Sequence, residues 1–307
     1  MKVYIPKVKE SWIIDRIRKE WYEHSDKIST NFKFFSNIIW INAPWAWSKV
    51  NKYYLNNKIV ICTIHHIEKD QNSEKFKQEF NELDKFVNYY HVPSLNSLNQ
   101  LKLLTDKKIF HIPYWVNNSK FFYIDDKNKL RDKYSIGKND WLVGSFQRDT
   151  EGSDLKSPKL IKGPDIFIKN IINLYENNKN LKVILTGKRR QYVIENLKKH
   201  NIPFTYFEMV NAKELNELYN ILNLYIVSSR IEGGPQAILE CAITKTPIIS
   251  TNVGLAKEIL HESSIYIDDI ALAKPDLDYA YQNAVKLEIK NLIKEYEKMF
   301  YQVYQAT

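Results

Sequence analysis

Two carboxylates and a pair of glycines stand together at the end of one apolar run. The stretch SSRIEGGPQAILE covers residues 228–240, with Glu232 directly before Gly233, Gly234 and Pro235 and with Glu240 at its end. Adjacent glycines let the backbone turn sharply and approach a ligand closely, and Pro235 suits the first turn of a helix. Free amides and the positive end of a helix dipole then favour an anion such as a diphosphate.

The two glutamates have a chemistry of their own. A carboxylate is a bidentate acceptor that suits neighbouring sugar hydroxyls. Glu232 and Glu240 on either side of a phosphate cradle would therefore hold both parts of a nucleotide-sugar. The spacing alone fits equally well two solvated carboxylates at the start of a helix, so the two residues by themselves do not decide between these interpretations.

Such a site needs elements to position it, and the chain alternates short apolar runs with amphipathic stretches of helical length. That alternation predicts an α/β protein with parallel sheets, which bind ligands beyond the carboxyl ends of their strands. In the first half, we predict strands over 2–6, 37–43, 58–65, 86–94 and 108–116, and helices around 12–22, 49–55, 74–83 and 95–104.

The second half repeats the alternation after a charged stretch, 125–140, which predicts the domain junction. Strands are predicted over 141–146, 181–187, 204–210, 224–229 and 246–252, and helices over 164–175, 191–200, 212–222 and 236–244. One long helix is predicted over 278–303. The predicted domains are therefore 1–135, 136–277 and a C-terminal helical segment, 278–307.

Composition sets the broad class. A length of 307 residues favours two hydrophobic cores, and the 44% hydrophobic and 26% charged residues are typical of a globular protein. We expect a soluble, cytoplasmic protein, because neither a spanning apolar run nor a signal peptide is visible. Cys62 and Cys241 predict buried thiols. The net charge of +9 is spread along the chain, so no nucleic-acid partner is expected.

The E-x7-E pattern with EGG after a strand, followed by TPIISTNVG and the acidic Glu258, resembles the retaining glycosyltransferases of family 4. The resemblance implies the GT-B fold, with two Rossmann-like domains facing a central cleft and a C-terminal helix crossing back to the N-terminal domain. It also implies that Glu240 binds the nucleotide ribose and that Glu232 contacts the donor sugar. Residues 233–235 would then present amides to the sugar and diphosphate.

Upstream, VGSFQRD (143–149) and KGPD (162–165) resemble the family's strand, Arg and Lys-Gly pattern. The resemblance implies that Arg148 and Lys162 neutralise the diphosphate leaving group, a task suited to two fixed cations. The family's next donor-side loop corresponds to Gly187 and the KRR that follows it. There, Arg189 or Arg190 either assists the phosphate or belongs to a solvated face.

In the first half, TIHH (63–66) lies where family members often place a histidine that projects into the cleft. His65 is the first candidate and His66 the second for contacting the transferring sugar or the acceptor, although a histidine at a strand end is often only a satisfied polar residue. Trp45 and Trp47 either stack on an acceptor sugar or pack in the core. The family's Gly-rich first turn is absent, and Lys7 or Lys9 would replace it electrostatically.

The combined hypothesis is a retaining glycosyltransferase that needs neither a metal nor a cofactor. Its donor would be a nucleotide-sugar of UDP or GDP type, and its acceptor a saccharide or a lipid-linked saccharide. The last helix, KLEIKNLIKEYEK, would brace the N-terminal domain, or alternatively lie at the inner membrane face as a peripheral contact. The rival hypotheses are a noncatalytic nucleotide-sugar-binding module and, on charge alone, a nucleic-acid binder.

Overall fold

The computed structural model describes residues 1–9, 13–68 and 73–306. It separates into two compact units, one formed by Met1–Trp115 with Ile289–Thr307 and the other by Val116–Glu288. Each unit is built on its own parallel sheet with helical crossovers. The predicted α/β class with two parallel-sheet domains is therefore confirmed.

The first unit carries a five-stranded sheet in the order β1-β2-β3-β4-β5. β2 and β3 are buried along their whole length, as expected for a parallel sheet covered on both faces. Trp12 falls outside the described residues, so the first predicted helix is seen from Ile13 onward. The elements are β1 (Val3–Tyr4), α1 (Ile13–His24), β2 (Ile38–Ile41), α2 (Lys52–Asn57), β3 (Ile59–Thr63), α3 (Glu74–Asp84), β4 (Tyr89–Val92), α4 (Leu95–Leu101) and β5 (Ile109–His111).

The second unit carries a six-stranded parallel sheet in the order β11-β10-β9-β6-β7-β8. The chain order reverses beside β6, the kind of point at which open α/β sheets form ligand crevices. Its elements are α5 (Lys127–Lys133), β6 (Trp141–Ser145), α6 (Pro164–Asn177), β7 (Leu181–Thr186), α7 (Gln191–Lys199), β8 (Phe204–Phe207), α8 (Ala212–Ile221), β9 (Leu224–Val227), α9 (Gln236–Ile243), β10 (Ile248–Thr251), α10 (Ala256–Ile259), β11 (Ile265–Tyr266) and α11 (Leu277–Lys286).

The C-terminal segment is two helices rather than the single helix predicted over 278–303. α11 packs on α9 of the second unit, whereas α12 (Ile289–Gln305) belongs to the first unit. The break falls at Leu287–Glu288, where the Leu287 carbonyl accepts a hydrogen bond from Val116. Helical periodicity continues through the break in the sequence, but the two amphipathic faces are buried in different cores.

α12 crosses back to the first unit, as the resemblance implied. Its apolar face enters an aromatic cluster in which Phe300 lies 5.1 Å from Trp21 and Tyr296 lies 5.3 Å from Trp40, measured between ring centroids. The Tyr296 hydroxyl donates a hydrogen bond of 3.2 Å to the Pro113 carbonyl. This face is therefore part of the core and is not available to a bilayer.

The structure also moves the first domain boundary. The first unit ends at Trp115, not at residue 135, and the charged stretch 125–140 contains α5. α5 packs on α8, and the Tyr134 hydroxyl following it donates a 2.6 Å hydrogen bond to Glu217. The charges of this stretch are solvated on one face while Leu130 fills the core of the second unit, which is why a charged run was a poor indicator of a junction.

Candidate functional site

Lys162 and Glu232, which are seventy positions apart in the chain, meet directly in the second unit. The Lys162 Nζ lies 2.5 Å from Glu232 Oε1, with the two side chains only 22% and 13% exposed. Ser229 Oγ donates a second hydrogen bond of 3.0 Å to the same carboxylate oxygen. The two charges of a partly buried ion pair attract each other more strongly than those of a pair in open solvent, because the effective dielectric constant around them is lower.

The loops that carry these residues are tied together by their backbones. The Ile161 carbonyl accepts hydrogen bonds from the amides of Arg230 and Ile231 at 2.8 and 3.1 Å. Arg230 then grips Asp165 at the start of α6 with two bonds of 2.7 and 2.6 Å, and this guanidinium lowers the pKa of the Asp165 carboxyl. The loop before α6 and the loop after β9 therefore form one structural unit.

Two glycines permit close contact between these loops. Gly163 has φ of 58°, and a Cβ placed on it would lie 1.9 Å from the Ser228 carbonyl oxygen. Gly254 has φ of 51°, and its Cβ would lie 2.5 Å from the Gly233 carbonyl oxygen. Both positions combine a left-handed backbone with no room for a side chain, so glycine is required twice over.

The EGGP motif leads into the amino terminus of α9. Pro235 is the N-cap residue and the helix begins at Gln236, so the first backbone amides of the helix face the loop without intrahelical acceptors. Glu240 follows one turn later and is only 3% exposed. Its Oε2 accepts a 2.8 Å hydrogen bond from the Tyr219 hydroxyl. The interpretation in which Glu232 and Glu240 are merely solvated is wrong, because both carboxylates are largely buried.

Sequence reasoning missed Gln147, which links three segments. Its Nε2 donates to the Lys162 carbonyl at 2.9 Å, and its Oε1 lies 3.2 Å from Ser229 Oγ, whose single proton it shares with Glu232. The neighbouring Arg148 is half-buried, and its Nε donates to the Thr150 carbonyl at 3.0 Å. The signal for Gln147 was its place beside Arg148 after a strand end, but no spacing rule identifies a linking amide.

Arg190 belongs neither to a solvated face nor to the surface. It is 1% exposed, and its Nε lies 2.9 Å from Asp149 Oδ2, while its Nη1 donates to the Gln147 carbonyl. Burial raises the pKa of Asp149 to about 6, against the opposing effect of Arg190. This buried pair fixes the loop that carries Gln147 and Arg148. Arg189 instead donates to the Gly152 carbonyl at 3.0 Å.

The other donor-side candidates take backbone or local roles. Gly187 has φ of 91°, donates its amide to the Glu208 carbonyl and accepts from the Tyr206 hydroxyl. Glu258 lies half-buried on α10. These contacts do not test the predicted donor-side role of Gly187, which stays a prediction.

In the first unit, His65 is held through both ring nitrogens. Nε2 lies 2.8 Å from the Asn42 carbonyl, and Nδ1 lies 2.5 Å from the Tyr114 hydroxyl. A carbonyl can only accept, so Nε2 carries a proton, and Nδ1 shares a hydrogen bond with the Tyr114 hydroxyl. His66 is turned elsewhere, with its Nε2 3.9 Å from Glu68. His65 is thus a satisfied polar residue in this structure.

The two tryptophans that the sequence left open behave differently. Trp47 stacks on Phe86 with a centroid distance of 5.6 Å and joins the core. Trp45 is 49% exposed and lies 6.0 Å from the His65 ring. In the loop after β1, Lys7 is exposed and Lys9 has φ of 63°, while residues 10–12 of that loop fall outside the described residues.

Within residues 1–9, 13–68 and 73–306, no group of three or more His, Cys, Asp or Glu side chains could hold a metal ion. Among the same residues, no helix combines the length and the apolar character that crossing a bilayer requires. Whether transfer is metal-independent stays a prediction.

Comparison with known proteins adds an independent result. Residues 157–301 match the family model described as glycosyl transferases group 1. HepE from Anabaena, solved in complex with UDP and glucose, has a TM-score of 0.78 at 11% identity, covering 98% of this chain and 99% of that chain. Sucrose-phosphate synthase from Thermosynechococcus elongatus gives 0.72 at 13% identity, covering 98% and 81%.

A glycosyltransferase from Rickettsia africae gives a TM-score of 0.67 at 17% identity, covering 98% of this chain and 84% of that chain. In the comparison with curated proteins, no sequence matches this chain. The structural similarities confirm the expected GT-B fold. Residues 157–301, which hold Lys162, Glu232 and Glu240, therefore match the glycosyl transferases group 1 family model on a chain with the GT-B fold.

Proposed function

We propose that this protein is a retaining glycosyltransferase that moves a sugar from a nucleotide-sugar to a saccharide or lipid-linked acceptor without a metal. The observation that carries the proposal is the Lys162–Glu232 pair, held beside Gly233, Gly234 and the amino terminus of α9. A cation, a carboxylate and helix amides at one loop cluster match the three parts of a sugar diphosphate.

In this proposal the protein without donor holds the Lys162–Glu232 ion pair, and the donor breaks this pair when it binds. The diphosphate then pairs with the ammonium group of Lys162. Arg148 supplies a second cation, which neutralises the negative charge that develops on the leaving group. Glu232, released from Lys162, accepts hydrogen bonds from the sugar hydroxyls. Glu240 accepts from the ribose hydroxyls, and its bond with Tyr219 orients the carboxylate beforehand.

We assign the donor to the UDP type first and to the GDP type second. Support for the first comes from the structural relatives, since HepE from Anabaena was solved with UDP and with UDP-glucose. Retention follows if the acceptor oxygen attacks the face that the diphosphate leaves, with a leaving phosphate oxygen taking the acceptor proton. No residue of the chain then needs to act as a nucleophile.

On the acceptor side, Trp45 is the best-supported contact in the first unit. Its half-exposed ring offers an aromatic face to a saccharide, and His65 behind it is anchored by Asn42 and Tyr114. We propose that His65 contributes through the position of its ring more than through proton transfer, because both nitrogens are engaged. His66 remains the second candidate.

The donor assignment is tested by thermal shift in EDTA with UDP and GDP, comparing wild type with Glu240→Gln and with the exposed control Glu195→Gln. A ligand at one hundred times its Kd adds about 2.7 kcal/mol, which corresponds to a rise of roughly 5 °C or more in Tm. We expect this rise in wild type and Glu195→Gln and its loss in Glu240→Gln. If neither nucleotide shifts the wild type, the donor assignment fails.

Turnover separates the enzyme from the noncatalytic module. Wild type with the donor identified above should release nucleotide when an acceptor saccharide is added, and the anomeric proton coupling of the product reports retention or inversion. A protein that binds UDP but yields no product with any acceptor class would favour the binding module. An inverted product would contradict the retaining mechanism while leaving the donor site intact.

A further inference from the structure

Three phenylalanines of the first unit are exposed at one turn before β2. Phe32, Phe34 and Phe35 have exposed fractions of 68%, 69% and 66%. Their rings contact one another edge to face, with centroid distances of 6.2 Å between Phe32 and Phe35 and 5.3 Å between Phe34 and Phe35. We call residues 32–35 the aromatic turn. Contiguous exposed apolar surface of this kind marks an interaction site more often than single exposed side chains do.

Hydrogen bonds fix the backbone of the aromatic turn. The Lys58 ammonium donates to the carbonyls of Phe34 and Ser36 at 3.1 and 2.5 Å. Ser36 Oγ donates to the Lys33 carbonyl at 2.8 Å, and the Phe35 amide donates to the Phe32 carbonyl at 3.1 Å. The rings are therefore presented by an ordered backbone, so a partner would not have to pay the entropy of ordering it.

The stretch of sequence that contains the aromatic turn carries charges of one sign. From Lys27 to Ile67 the sequence contains five lysines and no aspartate or glutamate, although the chain has 36 acidic residues in 307. Lys33 lies 5.0 Å from the Tyr54 ring centroid, and the neighbouring Tyr53 is 68% exposed. Lysines interleaved with exposed aromatic rings match an anionic interface with an apolar layer beneath it.

The turn lies at the edge of the sheet away from the ligand-binding ends. It precedes the amino end of β2, and Lys58 precedes the amino end of β3, whereas His65 follows the carboxyl end of β3. A partner at the aromatic turn would therefore leave the carboxyl ends of the strands open. The amphipathic α12 offers no such surface, because its apolar face is buried in the core of the first unit.

We propose that the aromatic turn is a peripheral membrane contact that inserts Phe32, Phe34 and Phe35 into the interfacial layer of an anionic bilayer. In this proposal Lys33 and Lys52 face the lipid headgroups, where each basic side chain near an anionic surface adds to binding and the effect declines with salt. This inference does not depend on the donor chemistry of the second unit.

The test is co-sedimentation of the full chain with vesicles of phosphatidylcholine alone and of phosphatidylcholine with phosphatidylglycerol. We compare wild type, Phe32→Ser/Phe34→Ser/Phe35→Ser, Lys33→Glu/Lys52→Glu, and a matched control, Ile267→Ser/Leu272→Ser. The control removes two side chains of the second unit that are 86% and 80% exposed. Circular dichroism and the UDP thermal shift are measured on every variant without vesicles.

We expect wild type and the control to bind the anionic vesicles at least tenfold more tightly than the neutral ones, with weakening in 0.5 M salt. The phenylalanine variant should lose at least tenfold of this affinity, and the lysine variant should lose the preference for anionic lipid. Absence of wild-type binding, or unchanged binding by the phenylalanine variant, overturns the proposal.

A concentration-dependent dimer that disappears in the phenylalanine variant, without vesicle binding, also overturns it and assigns the surface to a second copy of the chain. The UDP thermal shift separates the two proposals, because the aromatic turn belongs to the first unit and the proposed donor-site loops belong to the second. Loss of vesicle binding with an unchanged UDP shift leaves the proposed function intact, and loss of the UDP shift in wild type does the reverse.

Discussion

The Lys162–Glu232 region of the second unit and the His65 region of the first both follow the carboxyl ends of parallel strands, yet they are held by different interactions. Lys162 and Glu232 hold each other by charge across two loops. His65 is held by hydrogen bonds to a backbone carbonyl and a phenol. The first region presents charged groups with which a charged ligand can pair. The second presents an imidazole ring in a fixed orientation.

The same contrast continues beneath each region. Under the charged loops lies the buried pair Asp149–Arg190. Beneath His65 lies a neutral chain in which the His91 ring contacts Thr63 Oγ1 at 2.9 Å and Trp40 donates to the same hydroxyl at 2.8 Å. In these two regions, an ion pair therefore lies beneath the loops of the second unit, and neutral hydrogen bonds and ring packing lie beneath His65.

The largest expected effect comes from unpairing the buried charge. Asp149→Asn leaves Arg190 buried without its counterion, which should cost about 3–5 kcal/mol of unfolding free energy. Denaturant unfolding measures it. The control is Asp165→Asn, whose partner Arg230 is 42% exposed, and which should cost about 1 kcal/mol or less.

Equal losses of unfolding free energy in Asp149→Asn and Asp165→Asn would contradict the argument that the more buried ion pair is the more costly to break. Asp149→Leu/Arg190→Met, which removes both charges, should recover most of the loss, because an apolar pair has no charge to desolvate.

Next comes the cation of the candidate site. Lys162→Ala should lower kcat about 10²–10³-fold, or roughly 3–4 kcal/mol, because a fixed charge on the leaving group is lost. Initial-rate kinetics with the donor in excess measures it, and Lys169→Ala on the exposed face of α6 is the control. A decrease of less than threefold would remove Lys162 from the proposed mechanism.

The close approach of the two loops gives a stability prediction. Gly163→Ala puts a methyl group 1.9 Å from the Ser228 carbonyl oxygen at a left-handed φ, so we expect a loss of about 2–3 kcal/mol. Thermal unfolding measures it. Gly137→Ala is the matched control, since its methyl group meets only the movable Asp140 carboxylate at 2.9 Å. If both variants melt alike, the loops are not packed as closely as described.

The buried ring of His91 in the first unit predicts a pH effect. Burial lowers the pKa of His91 to about 3, below an unfolded value of about 6.5. The unfolded state therefore binds more protons between these values, so stability falls as pH decreases. When the pH is lowered from 7 to 5, protonation of this histidine in the unfolded state should decrease the unfolding free energy by about 2 kcal/mol. Hydrogen exchange of β4 amides at both pH values measures it, and protection that does not change would contradict the buried neutral ring.

The smallest effect should come from the His65 region. Tyr114→Phe removes the hydroxyl that bonds Nδ1, which should cost about 1 kcal/mol of stability and less than tenfold in kcat. Steady-state kinetics beside Lys162→Ala gives the comparison directly. If Tyr114→Phe lowers kcat as much as Lys162→Ala does, the division between a charged region and a shape-giving region is wrong.

Much of the fold could be predicted from the sequence, because the strands and helices of parallel sheets produce a local pattern of apolar residues. The alternation of apolar runs and amphipathic stretches predicted ten of the strands within a few residues and omitted the two-residue β11. It missed α5 and the break between α11 and α12, because the periodicity of a helix does not say which core its apolar face enters. The boundary of the first unit was misplaced for the same reason.

For the candidate site, the sequence determined the chemistry. The residue types and spacing of Glu232, the two glycines and Glu240, with Lys162 before a glycine, were enough to predict an anion-binding loop at a helix terminus. Spacing along a chain constrains these residues because a strand, a turn and a helix are local structures.

Only the tertiary structure decided which of these residues contact one another. The Lys162–Glu232 pair, the linking role of Gln147, the burial of Arg190 and the engaged ring of His65 all join segments that are distant in the chain. Burial and ion pairing depend on what the rest of the fold places around a side chain, and no local pattern encodes that. The exposure of Phe32, Phe34 and Phe35 was undetermined for the same reason, since only the packed structure shows which apolar side chains the core leaves out.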